Sequence, residues 1–170
     1  MRAFDLGCGK GGTCRMLSNL GFQVVGVDPS ANRIAQARQA YPELRLEIGS
    51  CYDNLASCYG TFPLVVLLEF EHCIDPRAFA RTFLSLIAPN GIGILSTPFH
   101  GYLKNLTLSL ANKWDSHHGV LWDGGHIKFF SIATLKALSR ECGTEHIRFL
   151  RAGRILPLAK STMAIIEHPS

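Results

Sequence analysis

The run Asp5-Leu6-Gly7-Cys8-Gly9-Lys10-Gly11-Gly12 places an acid ahead of several closely spaced glycines. Glycines so spaced let a backbone approach a ligand without the obstruction of a Cβ. The run parses as acid-x-G-x-G-x-G through Gly7, Gly9 and Gly11, or as G-x-G-x-x-G through Gly7, Gly9 and Gly12. The second pattern belongs to dinucleotide sites, where an acid roughly 20 residues further on binds a ribose. Asp28 stands at that distance. Both parses therefore share an adenosine site with Asp28 on the ribose hydroxyls. They part at Asp5, where a carboxylate attracts a cationic amino-acid group and repels a pyrophosphate. Cys8, inside the turn, is expected to pack as a small side chain and not to act as a nucleophile. The plainer alternative makes the glycines a tight turn only and Asp28 a helix N-cap before Pro29-Ser30.

Proton transfer needs a group that titrates near neutrality, and two histidines are candidates. His72 ends the segment Glu69-Phe70-Glu71-His72, and His126 lies in the segment Trp114 to Lys128, which also holds Asp115, His117, His118, Trp122 and Asp123. One reading makes that segment a substrate lid, with His126 or His118 as base and the tryptophans as walls for an aromatic or isoprenoid acceptor. The other makes it a capped loop whose histidines bond to backbone. Its histidines and aspartates are of metal-ligand type but lack a recognisable spacing, so no metal is expected.

These residues need a scaffold that brings them together. Short β-branched or apolar runs alternate with helical patterns, as in βαβ units with a largely parallel sheet. The expected strands are Ala3 to Leu6, Gln23 to Val27, Leu44 to Ile48, Leu64 to Leu68, Ile92 to Ser96, His146 to Leu150 and Met163 to Glu167. The expected helices are Thr13 to Leu20, Ala31 to Ala40, Pro76 to Ala88 and Ile132 to Glu141. The stretch from Arg154 to Ser161 is too short for a helical crossover, so the last strand is expected to return antiparallel. Residues 98–130 form an insertion with a helical pattern of its own. Leu103, Leu106 and Leu110 share one face there, a stripe that suits packing or a pocket wall and, as a lesser alternative, a membrane surface. In a parallel α/β sheet, ligands bind at the carboxyl ends of the strands, where most of the polar residues of interest fall.

Composition is consistent with one globular domain over residues 1–170: 47% hydrophobic and 18% charged residues exclude a disordered chain. The formal charge of +4 is spread along the chain, without the basic run that tracks a phosphate backbone, so no nucleic-acid partner is expected. The six cysteines show neither C-x-x-C pairs nor regular spacing, and no signal peptide or bilayer-length apolar run is visible, so the chain reads as cytoplasmic. Oligomeric state leaves no signal.

The pieces FDLGCGKGG, VVGVDPS, LLEFEHCIDP, PNGIGILSTP and GGHIKFFSIATLKALSRECG, in this order, resemble class I S-adenosylmethionine-dependent methyltransferases, in particular the broad group that includes ubiquinone-type O-methyltransferases. The resemblance implies a Rossmann-like doubly wound sheet of about seven strands, mostly parallel with the last antiparallel. It implies S-adenosylmethionine as cofactor, with Asp5, Gly7, Cys8 and Gly9 at its methionine end, Asp28 and Pro29 at its ribose, Ser50, Cys51 and Tyr52 at its adenine, and Glu69 in the loop after the fourth strand. Methylation of a small-molecule acceptor, with oxygen as the expected atom, follows from the same likeness. Members of the group usually have a helix before the first strand, whereas this chain begins at the strand. They often show glutamate, two residues and Glu-His where here only Phe70 separates Glu69 from Glu71, so no metal site is carried over. A nicotinamide-dependent oxidoreductase and a cofactor-binding module without turnover are the competing readings.

Overall fold

The computed structural model describes residues 1–118, 121, 125–153 and 159–168. Seven strands form one sheet in the order β3-β2-β1-β4-β5-β7-β6. In chain order the elements are β1 (Arg2–Leu6), α1 (Gly12–Asn19), β2 (Gln23–Asp28), α2 (Ala31–Ala40), β3 (Arg45–Ile48), α3 (Leu55–Tyr59), β4 (Phe62–Leu67), α4 (Pro76–Ser85), β5 (Ile87–Pro98), α5 (Tyr102–Leu110), α6 (Trp114–His118), α7 (Ile132–Glu141), β6 (Ile147–Ala152) and β7 (Ser161–Glu167). The strand β1 pairs in parallel with both β2 and β4, so the strand order switches direction at its carboxyl end, where a crevice opens. The last strand, β7, runs antiparallel between β5 and β6, as expected.

Both faces of the central strands β1, β2 and β4 are covered, which explains why they are near-continuous apolar runs. Phe4, Leu6, Val27, Phe62 and Leu67 meet Phe83 of α4 and Leu135 of α7 on one face. Ala3, Val24 and Val66 meet Cys14 and Leu17 of α1 and Ile34 and Ala37 of α2 on the other. The helices start where side chains satisfy their first amides: Ser30 Oγ accepts from Arg33 N, Asp75 from Arg77 N and Ala78 N, and Ser131 from Thr134 N.

Two expectations are corrected and one element is added. Helix α4 ends at Ser85 and not at Ala88, because Ile87 already pairs with Phe62; Pro89-Asn90-Gly91 is a kink inside a long strand, with Asn90 at φ 58°. Its edge is held by His168, whose amide donates to the Gly91 carbonyl while its own carbonyl accepts from Asn90 N. Residues 55–59 form a short helix that five residues of sequence could not reveal by periodicity. The leucine stripe of α5 does not pack inward: the helix buries no residue, and Leu103, Leu106 and Leu110 are exposed. Trp122, Asp123 and residues 154–158, part of the expected lid and antiparallel return, lie outside the described residues. Among those described, no helix is long and apolar enough to cross a membrane.

Candidate active site at the carboxyl ends of the strands

The glycine turn between β1 and α1 is stitched to the end of β2. The amides of Gly7 and Cys8 both donate to the Val27 carbonyl, at 2.8 and 3.0 Å. Gly9 N donates to Asp28 Oδ2 at 3.0 Å, and Ser30 N donates to Oδ1 of the same carboxylate at 2.9 Å. Asp28 therefore ties two loops together, and the helix cap that it might have supplied comes from Ser30. Gly7, Gly9 and Gly11 have φ values of 80°, 54° and 82°, whereas Gly12 is simply the first residue of α1. A Cβ added at Gly12 would meet no atom within 4 Å, so Gly12 does not make the close helix–strand contact that the third glycine of G-x-G-x-x-G serves, and the acid-x-G-x-G-x-G parse fits better. A Cβ added at Gly7 or Gly9 would meet no atom within 4 Å and would project into open space, as expected of a cradle.

A cavity of about 470 Å³ opens over the ends of β1, β2 and β4, with Gly7, Asp28, Pro29, Ser50, Cys51 and Tyr52 on its walls and Glu69 and His72 at one end. A second groove of about 330 Å³ shares Gly7 and Glu69 with it and continues along Cys8, Gly9 and Lys10. Ten of the expected site residues are therefore gathered around one continuous cleft. Their loops are ordered by local bonds: Tyr52 N donates to Ser50 Oγ, and Tyr52 Oη accepts from the amides of Ile74 and Asp75 at 3.2 and 3.1 Å. Glu69, in the left-handed region at φ 69°, leaves its side chain exposed at the junction of the two grooves.

Asp5 stands apart from them. It is 1% exposed, behind the turn, and accepts a bond from Cys14 Sγ of α1 at 3.1 Å. Burial pushes its carboxyl up to about 6, against the Cys14 bond, with the Asp28 charge adding to the rise. Burial likewise raises the Cys51 thiol to about 11 and Cys73 to about 12, so both stay protonated at neutral pH.

His126 does not line the cleft, but the chain clamps it to the loop after β4. The amides of Ile127 and Lys128 donate to the Glu71 carbonyl, and His72 Nδ1 lies 3.0 Å from the Gly125 carbonyl. Beneath this clamp Phe70 stacks on Phe130, with ring centroids 4.6 Å apart. The result places His126 Nε2 3.6 Å and His72 Nε2 3.9 Å from Glu71 Oε1. Behind His126 the rings of His100, His117 and His118 cluster, with Trp114 stacked on His118 at 5.0 Å. Burial, followed by the Lys104 charge, lowers His100 to about 4; burial is also the first cause of the downward shifts of His117, His118 and His126.

Two residues were missed in the sequence. Arg33, in the first turn of α2, borders both grooves. A cation there opposes the helix dipole, and that misfit was the available signal. Glu71, 3% exposed, gave no signal, because its partner is 55 residues away.

The sequence pattern of a methyltransferase-domain family matches residues 1–148. The chain belongs to the class I S-adenosylmethionine-dependent methyltransferases. Its curated relatives include the ubiquinone biosynthesis O-methyltransferases of Caulobacter sp. (strain K31), 38% identical over 64% of this chain and 45% of the relative, and of Azorhizobium caulinodans, 30% identical over 85% and 59%. The chain spans about half the length of these relatives. Among solved structures, the CurJ carbon methyltransferase superposes with a TM-score of 0.75 at 14% identity, over 100% of this methyltransferase and 49% of that chain. A SAM-dependent methyltransferase from Archaeoglobus fulgidus gives 0.74 at 16%, over 98% and 85%. At such identities the likeness shows the shared fold. S-adenosylmethionine is the cofactor of this family, and the nicotinamide reading of the glycine turn gives way to it.

Proposed function

We propose that this methyltransferase transfers the methyl group of S-adenosylmethionine to a hydroxyl oxygen of a small-molecule acceptor. The observation that carries the reading is the continuous cleft from Ser50–Tyr52, past Asp28 and the glycine cradle, to Glu69 and His72, with Glu71 and His126 beyond it. The oxygen preference draws on the relatives named above, which are O-methyltransferases.

Each oxygen of the Asp28 carboxylate already accepts one amide and keeps capacity for a second bond, so it can receive both ribose hydroxyls without moving. Pro29 borders the same sugar, and Ser50, Cys51 and Tyr52 flank the base. Gly7, Cys8 and Gly9 give their backbone to the amino-acid end, where Glu69 supplies negative charge. Asp5 acts indirectly in this scheme, holding α1 against β1 through Cys14. The cofactor supplies a methyl group activated on a sulfonium. The acceptor oxygen bonds to the methyl carbon as the carbon–sulfur bond breaks, leaving a methyl ether and a thioether, while His72 and His126 serve to remove the acceptor's proton. The six cysteines form no disulfide, which suits a reducing, cytoplasmic setting.

Calorimetric titration with S-adenosylhomocysteine and, in parallel, NADH tests the cofactor, and turnover of a panel of phenols tests the acceptor. Binding of S-adenosylhomocysteine with methyl transfer to a phenol is the expected result. Tight binding without turnover of any acceptor would leave a cofactor-binding module, and binding of NADH alone would overturn the assignment.

A further inference from the structure

Two of the six thiols meet behind the glycine turn. Gly26 of β2 is buried, and a Cβ placed on it would stand 2.5 Å from Cys14 Sγ and 3.0 Å from Cys8 Cβ. Both cysteines thus share the space that a side chain at this position would fill. Cys14 Sγ donates to Asp5 Oδ2 at 3.1 Å, so the pair has a carboxylate beside it.

The two residues differ in access. Cys8 is 6% exposed and borders the groove that runs along Gly9 and Lys10, whereas Cys14 is 0% exposed. The adjacent Cys8 thiol, then burial and the Asp5 charge, push the Cys14 thiol well above its ordinary value, so it stays protonated and inert toward solutes. Asp5, with its carboxyl at about 6, is mostly ionised at neutral pH and can accept that proton once Cys14 has a sulfur to attack. Cys8 is carried between Gly7 and Gly9, both in the left-handed region at φ 80° and 54°. Glycine backbone on either side lets Cys8 turn toward Cys14 and close to the ~2 Å of a sulfur–sulfur bond.

We propose that Cys8 and Cys14 form an oxidation site: hydrogen peroxide joins them in a disulfide behind the cofactor cradle, with Asp5 taking the Cys14 proton. The Cys8 sulfur, giving up its own proton, bonds to one peroxide oxygen as the oxygen–oxygen bond breaks. The other oxygen leaves as water, and Cys8 is then a sulfenic acid. Cys14 attacks the Cys8 sulfur, its proton passing to Asp5; the sulfur–sulfur bond forms, the sulfur–oxygen bond breaks, and the departing hydroxide takes up a proton to leave as a second water. Both sulfurs are oxidised and both peroxide oxygens reduced. Resting on the methyl-transfer reading, the consequence is a weaker hold on the cofactor. The Cys8 amide donates to the Val27 carbonyl and its carbonyl accepts from Gly11 N, so drawing this residue toward Cys14 shifts the backbone offered to the amino-acid end. A disulfide that forms under oxidant and is reversed by thiols is the kind that a reducing compartment tolerates.

The test is mild hydrogen peroxide treatment of the full chain, followed by tryptic digestion without reductant and mass spectrometry. Trypsin cuts after Lys10, between the two cysteines, so residues 3–10 and 11–15 should emerge as one linked species that dithiothreitol separates. In the same samples affinity for S-adenosylhomocysteine should fall by about 10-fold or more, the usual worth of a hydrogen bond to a charged group, and should return on reduction. Cys14→Ser should give no linked species, should hold Cys8 as a sulfenic acid that dimedone labels, and should lose less affinity on peroxide treatment than the wild type does, each sample being compared with its own reduced form. Cys14→Ala carries the same reading if Cys14→Ser fails to fold. Asp5→Asn should slow linkage by ~100-fold or more, as expected when a general base is removed, with Cys8 labelled as fast as before. Absence of the linked species, linkage undiminished in Asp5→Asn, or an equal loss of affinity in Cys14→Ser would overturn the proposal. Linkage in a chain that binds no S-adenosylhomocysteine even when reduced would instead overturn the methyl-transfer reading and leave the oxidation site standing.

Discussion

The two ends of the cleft satisfy their polar groups in opposite ways. At the cofactor end, backbone amides meet acceptors: Asp28 takes two, the Val27 carbonyl takes two, and the Tyr52 hydroxyl takes two more. At the acceptor end, Glu71 Oε2 and the buried nitrogens His100 Nε2, His117 Nε2, His118 Nδ1 and Nε2, and His126 Nδ1 make no hydrogen bond of normal geometry. A site whose groups are internally paired is finished before its ligand arrives. One whose buried groups are unpaired is incomplete without a ligand. The contrast extends to titration, since burial raises Asp5 at one end and lowers His100 at the other.

The sharpest way to break the comparison is to remove a group from the acceptor end and look for an effect on the cofactor. Replacing His126 by Ala should lower kcat by ~10²–10⁴-fold, the usual worth of a group that handles the reacting proton, with the dissociation constant for S-adenosylhomocysteine unchanged. A parallel loss in cofactor affinity would show that the two ends are one unit.

The opposing titrations come next in size. Asp5 has a folded value raised to about 6 from 3.8, so its contribution to stability is complete below pH 3.8 and is lost as pH rises through 6. At ~1.4 kcal/mol per pKa unit, Asp5→Asn should gain about 3 kcal/mol on the wild type between pH 4 and pH 7. His100 runs the other way. Its folded value is lowered from 6.5 to about 4, so it contributes stability above 6.5 that disappears as pH falls through 4, and His100→Gln should flatten that acid limb. Urea unfolding of both variants across this range measures the two slopes, and slopes of the same sign would remove the contrast.

At the cofactor end itself, Asp28→Ala should weaken S-adenosylhomocysteine by about 1–3 kcal/mol, because ribose hydroxyls and the Gly9 and Ser30 amides lose an acceptor together. Unchanged affinity in calorimetry would place the nucleoside elsewhere. The smallest change is Tyr52→Phe, which removes an acceptor from two exposed amides that water can reach, and should cost no more than about 1 kcal/mol in the same assay.

Legibility followed the same division. The alternation of strands and helices, the antiparallel return of β7 and the gathering of Gly7, Asp28 and Ser50–Tyr52 at strand ends were all readable, because each depends on local periodicity and on the rule that loops at one sheet edge meet. The start of β5 was not, since Ile87 and Ala88 continue the helical pattern of α4 and only the pairing of Ile87 with Phe62 of β4 decides otherwise. Asp5 was legible as important but not in its role, because the direction of a side chain at a strand end depends on which face α1 covers. Glu71 was beyond reach, since its partner is supplied by tertiary folding of the insertion.

The Tyr52 hydroxyl, shared by the amides of Ile74 and Asp75, also sets how the cleft exchanges its contents. Two solvent-exposed bonds of this kind are worth about 1–3 kcal/mol together, which leaves the detached ring populated at roughly one part in six to one in 160. In the arrangement proposed above, the wall beside the adenine is a leaf on a weak spring, so Asp28 and the glycine cradle, whose bonds lie deeper in the cleft, are the parts proposed to set the residence time of spent cofactor.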